Sequence, residues 1–187
     1  MSDFEFIFAL FGLLLGLSLA EVLASLARAI EARLRLGGAV RIGWLTPLLG
    51  AFVLLDLLSF WQAAWVSREF VTVSGRALLA VMGFAGAYYL AAALVFPRAI
   101  GDGADLDEHF FRVRRIVIGV LLALLLCQLV WYLSVPALAI RLQRPVALGL
   151  AIVLVVLMIT AMIARGQRLC RLAMLALVGR YLVVYLL

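Results

Sequence analysis

The chain has 187 residues, of which 68% are hydrophobic and 14% charged, with a net charge of +6 and a mean hydropathy of +1.23. Soluble proteins are only about half apolar, so this composition indicates an integral membrane protein, with residues 1–187 forming one transmembrane domain. All sixteen basic residues are arginine, which excludes a retinal or pyridoxal Schiff base and a Walker phosphate loop. The arginines are dispersed among short loops, so nucleic acid is not an expected partner.

Six hydrophobic segments follow one another along the chain. They cover residues 6–28, 42–66, 77–96, 114–134, 146–164 and 172–187. A helix needs about 20 apolar residues to cross a bilayer, so the pattern predicts an all-α bundle of six transmembrane helices in lipid. The last segment has Arg180 inside it and is also compatible with a helix that lies along the membrane interface.

Arginine is unevenly distributed among the connections. The first, third and fifth connections hold eleven arginines, the second and fourth hold four, and the N-terminal segment holds none. Cytoplasmic loops carry the arginine excess, so we expect these three connections in the cytoplasm and both termini in the periplasm. The acidic start of the chain is unlike a signal peptide, so we expect the first span to be retained. Arginine in place of lysine suits a GC-rich bacterium, which predicts the bacterial inner membrane.

Two ladders of small residues predict close helix packing. When Gly12 is aligned with Gly119, the two ladders coincide and Glu21 falls on Gln128. The residues of the predicted packing interface are Gly12, Gly16, Ala20, Gly119 and Ala123. The alignment raises the prediction of two inverted three-helix repeats, as in many transporters, and the ladders favour a homo-oligomer.

Ionisable groups inside spans are costly and are functional candidates by default. At ~1.5 Å per residue, Glu21 lies roughly 10 Å from the arginine-rich edge at Arg28, and Arg180 lies roughly 13 Å from that edge. We therefore predict a buried Glu21–Arg180 ion pair, which would either lock two helices together or take part in transport.

Asp56 lies roughly 20 Å along its span, nearer the outer face, where no basic partner is evident. We expect it to be a neutral acid beside polar neighbours on its own helix, Ser59 and Gln62 or Ala63. Such a group suits proton coupling or cation passage, and equally a hydrogen bond to a neighbouring helix. Gln128 completes the candidates for a pathway. Polar residues are too sparse for a wide aqueous pore.

The connection over residues 101–111 contains the acidic cluster and the single histidine of the chain. Asp102, Asp105 and Asp107 are candidates for binding a divalent cation, but the spacing lacks the pattern of an EF-hand. Asp105 followed by Glu108 is typical of a capping box that opens the next helix, and we prefer this interpretation. The two cysteines are 43 positions apart, without a metal-ligand spacing. We expect no bound metal and no cofactor.

These observations favour an ion, proton or small-solute channel or transporter. The alternative is a non-transporting structural or signalling subunit that self-associates or binds a partner membrane protein. No arrangement of serine, cysteine or histidine indicates nucleophilic catalysis, so the sequence offers no positive sign of an enzyme.

Overall fold

The computed structural model describes residues 3–36, 39–72 and 74–186 and is helical, with no strand in these ranges. The helices are α1 (Asp3–Arg35), α2 (Leu45–Val66), α3 (Gly75–Leu94), α4 (Leu106–Ser134), α5 (Pro136–Leu142), α6 (Pro145–Ile163) and α7 (Gln167–Leu186). All except the short α5 are long and apolar enough to cross a membrane, which confirms the six predicted helices. The last span begins at Gln167, five residues before its predicted start, and its predicted end at residue 187 lies outside the described ranges.

Two helices extend well beyond their predicted spans. α1 has 33 residues and α4 has 29, which at ~1.5 Å per residue exceeds the ~30 Å thickness of the hydrocarbon. The additional turns carry Arg33 and Arg35 on α1 and Arg112 on α4. Both helices are therefore longer than a perpendicular crossing requires, and their additional turns lie at the same, arginine-rich end of the bundle.

Helix α2 occupies the centre of the bundle, in contact with α1, α4 and α7. α3 packs on α1 and α4, and α6 packs on α4 and α7. The buried face of α2 includes Leu49, Phe52, Val53, Asp56 and Phe60. The only acid of this helix therefore points into the middle of the protein.

The arginine-rich end is held together by the carboxylate of Asp107. Its Oδ1 accepts a hydrogen bond of 2.9 Å from the backbone nitrogen of Leu45, the first residue of α2, and its Oδ2 accepts one of 3.2 Å from Gln167. Gly43 adopts φ +64°, and a Cβ atom there would overlap the Asp107 carboxylate. The first, third and fifth connections therefore meet at one end, as six antiparallel spans require.

The predicted helix start at Asp105 is confirmed, because its side chain accepts a hydrogen bond of 2.8 Å from the Asp107 nitrogen. In a capping box, the Glu108 side chain would also accept a hydrogen bond from the backbone nitrogen of Asp105. This part of the prediction is wrong, because Glu108 instead pairs with Arg112 at 2.5 Å. Within the described ranges, Asp102, Asp105 and Asp107 do not form a cluster that could hold a metal ion.

The small-residue ladders are only partly used within the chain. Gly12 packs against the ring of Trp61, and Gly119 lies near Met162. Gly16, Ala20 and Ala123 are exposed on the surface of the bundle. In the predicted repeat, α1, α2 and α3 would correspond to α4, α6 and α7. α1 packs closely on α3, whereas α4 packs on α2, α3, α5 and α6 and not closely on α7. An inverted repeat is therefore not reflected in the helix contacts.

Candidate functional site

Asp56 is 2% exposed and interacts with tyrosines from two other helices. Its Oδ1 accepts a hydrogen bond of 2.5 Å from the hydroxyl of Tyr181 on α7. The hydroxyl of Tyr88 on α3 lies 3.4 Å from its Oδ2. The side chain of Asp56 thus joins α2, α3 and α7 deep inside the bundle.

The hydroxyl of Tyr88 has a second and shorter contact, at 2.6 Å from the carbonyl oxygen of Val53. A phenol has one hydrogen to donate, so in this geometry the hydrogen points toward Val53. The oxygen of Tyr88 is then free to accept a hydrogen bond. A protonated Asp56 could donate that bond from Oδ2, whereas an ionised Asp56 would need the Tyr88 hydrogen to turn away from Val53.

Aromatic rings enclose this site. Phe60 contacts the ring of Tyr88 edge to face, with centroids 5.7 Å apart, and Phe52 lies 6.1 Å from the ring of Tyr181. Tyr185 stacks on Tyr181 at 6.4 Å. Aromatic rings therefore surround much of the carboxyl group, and its hydrogen-bond partners on other helices are the two phenols. Arg180 is near enough for its charge to act on Asp56.

Arg180 precedes Tyr181 but does not form an ion pair with any described acid. Its guanidinium donates a hydrogen bond of 3.2 Å to the carbonyl of Leu150 on α6 and lies 4.8 Å from the ring centre of Tyr181. The Nε atom of Arg180 is buried without a partner.

The predicted Glu21–Arg180 ion pair is wrong. Glu21 pairs with Arg28 on its own helix at 3.2 Å and accepts a hydrogen bond from Ser25 at 3.1 Å. Two residues at the same depth can still be far apart within the membrane plane. α7 packs on α2 and α6, whereas α1 packs on α2 and α3. Glu21 is a partly exposed acid near the arginine-rich end.

The hydrogen-bond partners of Asp56 come from other helices and not from the residues expected beside it on its own helix. Gln62 is exposed, and Ser59 is half-buried with Tyr185 within hydrogen-bonding reach. The partner on α7 can be understood from position along the helices. Asp56 is eleven residues from the start of α2, and Tyr181 is fourteen from the start of α7. These offsets correspond to similar heights of ~17 and ~21 Å.

A cavity of about 480 Å³ lies between α1, α2, α3 and α4 at the end opposite the arginine-rich end. Phe11, Phe60 and Phe84 line it, and Phe60 packs on Phe84 with centroids 4.8 Å apart. Phe60 also packs on the ring of Tyr88, whose hydroxyl contacts Asp56. Phe60 and Tyr88 therefore lie between the cavity and the Asp56 carboxyl group. Gln128, a predicted pathway residue, lines the cavity and does not reach Asp56.

A second buried polar site contains Arg114, which is 4% exposed. Its guanidinium donates hydrogen bonds to the carbonyl of Ala161 at 3.1 Å and to the sulfur of Cys170 at 2.7 Å. It also lies over the ring of Phe111, 4.7 Å from its centre, while its Nε lacks a partner. A buried cation here is balanced by a carbonyl, a thiol and a π face, with no described carboxylate.

The roles of Tyr181 and Arg114 are not among those predicted from the sequence. Arg114 belongs to the arginines of the third connection, although it shares a helix face with the apolar Phe110, Val117 and Leu121. That spacing was a usable signal. Tyr181 carried no such signal, because which helix lies beside α2 depends on the assembled bundle.

No known protein family, curated protein or solved structure matches this chain. The six long apolar helices and the composition indicate a multi-pass integral membrane protein.

Proposed function

We propose that this protein is a proton-coupled carrier of a small solute in the bacterial inner membrane, with Asp56 as its proton-binding group. The observation that supports the proposal is a buried carboxyl group that forms no ion pair with a described residue and is held by phenols from two other helices. Acids in such positions of membrane proteins commonly serve proton or ion pathways.

The two protonation states of Asp56 require different hydrogen-bond arrangements. A neutral carboxyl group donates one hydrogen bond, whereas an ionised one only accepts. Loss of the proton would therefore turn the Tyr88 hydroxyl from Val53 toward Oδ2, while Tyr181 continues to donate to Oδ1. A change in the charge of Asp56 would therefore alter the hydrogen bond between Tyr88 on α3 and Val53 on α2.

The same ring provides the coupling to the solute. Tyr88 packs on Phe60, and Phe60 lines the cavity. Shortening of the 3.4 Å contact to an ionised Asp56 would draw the whole Tyr88 side chain toward Oδ2. That shift of the ring would change the support of Phe60 and with it the inner wall of the cavity. A solute in the cavity would in turn bias the protonation of Asp56, because coupling between two sites is reciprocal.

The test is proton uptake by proteoliposomes that contain a pH-sensitive dye, under an imposed membrane potential and with pools of small neutral solutes. We expect uptake by the wild type and only background uptake by Asp56→Asn. Glu21→Gln is the matched control: it neutralises the other intraspan acid, but this one pairs with Arg28 away from the Asp56 site. Unchanged uptake by Asp56→Asn, or wild-type uptake equal to that of empty liposomes, would contradict the proposal.

The second candidate is a self-associating, non-transporting subunit, and the exposed small-residue face of α1 favours it. Gly16 has no atom within 4 Å of the position of a Cβ atom, and Ala20 is exposed beside it. Such a face lets another helix approach closely. If this face joins two copies, Gly16→Leu should convert a dimer to a monomer in light scattering. Absent proton uptake by a dimeric wild type would favour this candidate.

The proposed orientation follows the arginine distribution. The end that contains Asp107 would face the cytoplasm, and the cavity would lie toward the periplasmic leaflet. Cysteine labelling with a membrane-impermeant reagent in intact cells tests this in a Cys127→Ala background: Ser74→Cys should react from outside, and Asp102→Cys only after lysis.

A further inference from the structure

The cavity between α1, α2, α3 and α4 has the size and composition of a ligand site. Its volume of about 480 Å³ is within the usual range for small-molecule pockets, which are mostly apolar with a few polar groups that orient the ligand. None of its described lining residues is charged. A charged ligand would lose its hydration there without compensation, so the lining selects a neutral molecule.

The polar groups of the lining differ in whether they are free to bind a ligand. Tyr132 and Ser67 both donate to the carbonyl of Ala63, at 3.2 and 2.7 Å. The amide of Gln128 also lines the cavity and makes no hydrogen bond to a described residue. An amide offers both donors and an acceptor. Gln128, in the membrane helix α4, is therefore a group that can recognise a polar atom of the ligand.

The surroundings of the cavity indicate where a ligand would enter. Trp131 and Tyr132 line it, and Trp65 in the last turn of α2 packs on Phe8 of the lining. Tryptophan and tyrosine concentrate at the membrane interface. A molecule that reaches this position partitions between the headgroups and the hydrocarbon, which means that it has an apolar body and a polar end.

We propose that the cavity binds an uncharged amphiphile, with a ring-sized apolar body against Phe11, Phe60 and Phe84 and one hydroxyl or carbonyl group on Gln128. The inference deepens the proposed function, because it names the class of solute, and in that respect it rests on that function. Binding itself can be measured without transport.

Cys127 provides a direct readout, because it lines the cavity and its side chain is accessible, whereas Cys170 is buried. The probe is β-naphthol, a neutral ring system with one hydroxyl group, added to the full chain in nanodiscs during alkylation by a maleimide. The alkylation rate of Cys127 should fall as 1 + [L]/Kd, about fivefold at four times Kd. Naphthalene lacks the hydroxyl and should protect less, and β-naphthalenesulfonate should not protect.

Two variants test the two parts of the proposed site. Gln128→Leu should raise the Kd for β-naphthol about fivefold, the usual effect of one hydrogen bond, and should abolish its advantage over naphthalene. Ala64→Phe places a ring in the cavity and should remove protection by both compounds. The matched control is Val130→Cys in a Cys127→Ala background, since Val130 is 69% exposed on the same helix. Alkylation of that thiol should not depend on the probe.

Equal slowing at the Val130→Cys site, equal protection by the sulfonate, or unchanged protection in both Gln128→Leu and Ala64→Phe would overturn the inference. If Ala64→Phe does not fold, Gln128→Leu and the three compounds still decide the question. Protection of Cys127 without proton uptake would retain the ligand site and reject the carrier. Proton uptake without protection of Cys127 would retain the carrier and reject the ligand site.

Discussion

The phenol of Tyr181 donates a hydrogen bond of 2.5 Å to the carboxyl group of Asp56, across 125 residues of chain. This bond joins α7 to α2 inside the bundle, where Asp56 and Tyr181 are each 2% exposed. Buried polar groups in such positions are costly to leave without partners. The pair therefore contributes both to the candidate function and to the packing of α7 on α2.

Replacement of Tyr181 by phenylalanine should destabilise the protein by about 1–3 kcal/mol, because one oxygen of Asp56 would remain buried without its donor. The measurement is unfolding in mixed detergent micelles followed by circular dichroism. Tyr185→Phe is the control, since Tyr185 stacks on Tyr181 but is only half-buried, and its loss should cost less than ~1 kcal/mol. Equal destabilisation by both changes would contradict the assigned role of Tyr181.

Arg114→Met should leave the stability unchanged or raise it by about 1–4 kcal/mol. The guanidinium is buried with an unpartnered Nε, and apolar replacement of buried charges is often stabilising. Methionine would keep contact with the rings of Phe110 and Phe111.

The control for that change is Arg112→Met, which removes an exposed ion pair with Glu108 and should cost at most ~1 kcal/mol. Strong destabilisation by Arg114→Met alone would mean that the bonds to Ala161 and Cys170 outweigh the cost of burying the cation. Unfolding in the same micelles distinguishes these outcomes.

Gly43→Ala should be more damaging than Gly103→Ala, although both glycines have positive φ, at +64° and +75°. The backbone strain is about 1–2 kcal/mol in each case. Only at Gly43 would the new methyl group also displace the Asp107 carboxylate, because Gly103 has no atom within 4 Å. A difference in melting temperature between the two variants tests this. Equal decreases would show that the Asp107 carboxylate can move aside without destabilising the protein.

The two thiols should react at very different rates in the folded protein. Cys127 is exposed, whereas Cys170 is fully buried and its sulfur lies 3.3 Å from the carbonyl of Ala164. Mass spectrometry after brief alkylation should find Cys127 modified and Cys170 unmodified until the protein is unfolded. Early modification of Cys170 would contradict the packing of α4, α6 and α7 around it.

Features that depend on local sequence were predictable. The six spans follow from apolar length, and the start of α4 follows from the capping side chain of Asp105. The partners of Glu21, Asp56 and Arg180 were not, because a depth along a helix says nothing about its neighbours around the bundle. Glu21 and Arg180 have similar depths on helices that lie apart, whereas Asp56 and Tyr181 lie on helices in contact.

The carboxylate of Asp107 also has a consequence for biosynthesis. Its contacts with Leu45 and Gln167 unite segments that emerge from the ribosome at widely separated times. Membrane proteins are assembled as their helices are inserted, from the N-terminus onward. The contact with α2 can form once α4 enters the membrane, but the contact with Gln167 has to wait for the last helix. Closure of the arginine-rich end is thus a late step of assembly, and it fixes α7 in the position that brings Tyr181 to Asp56.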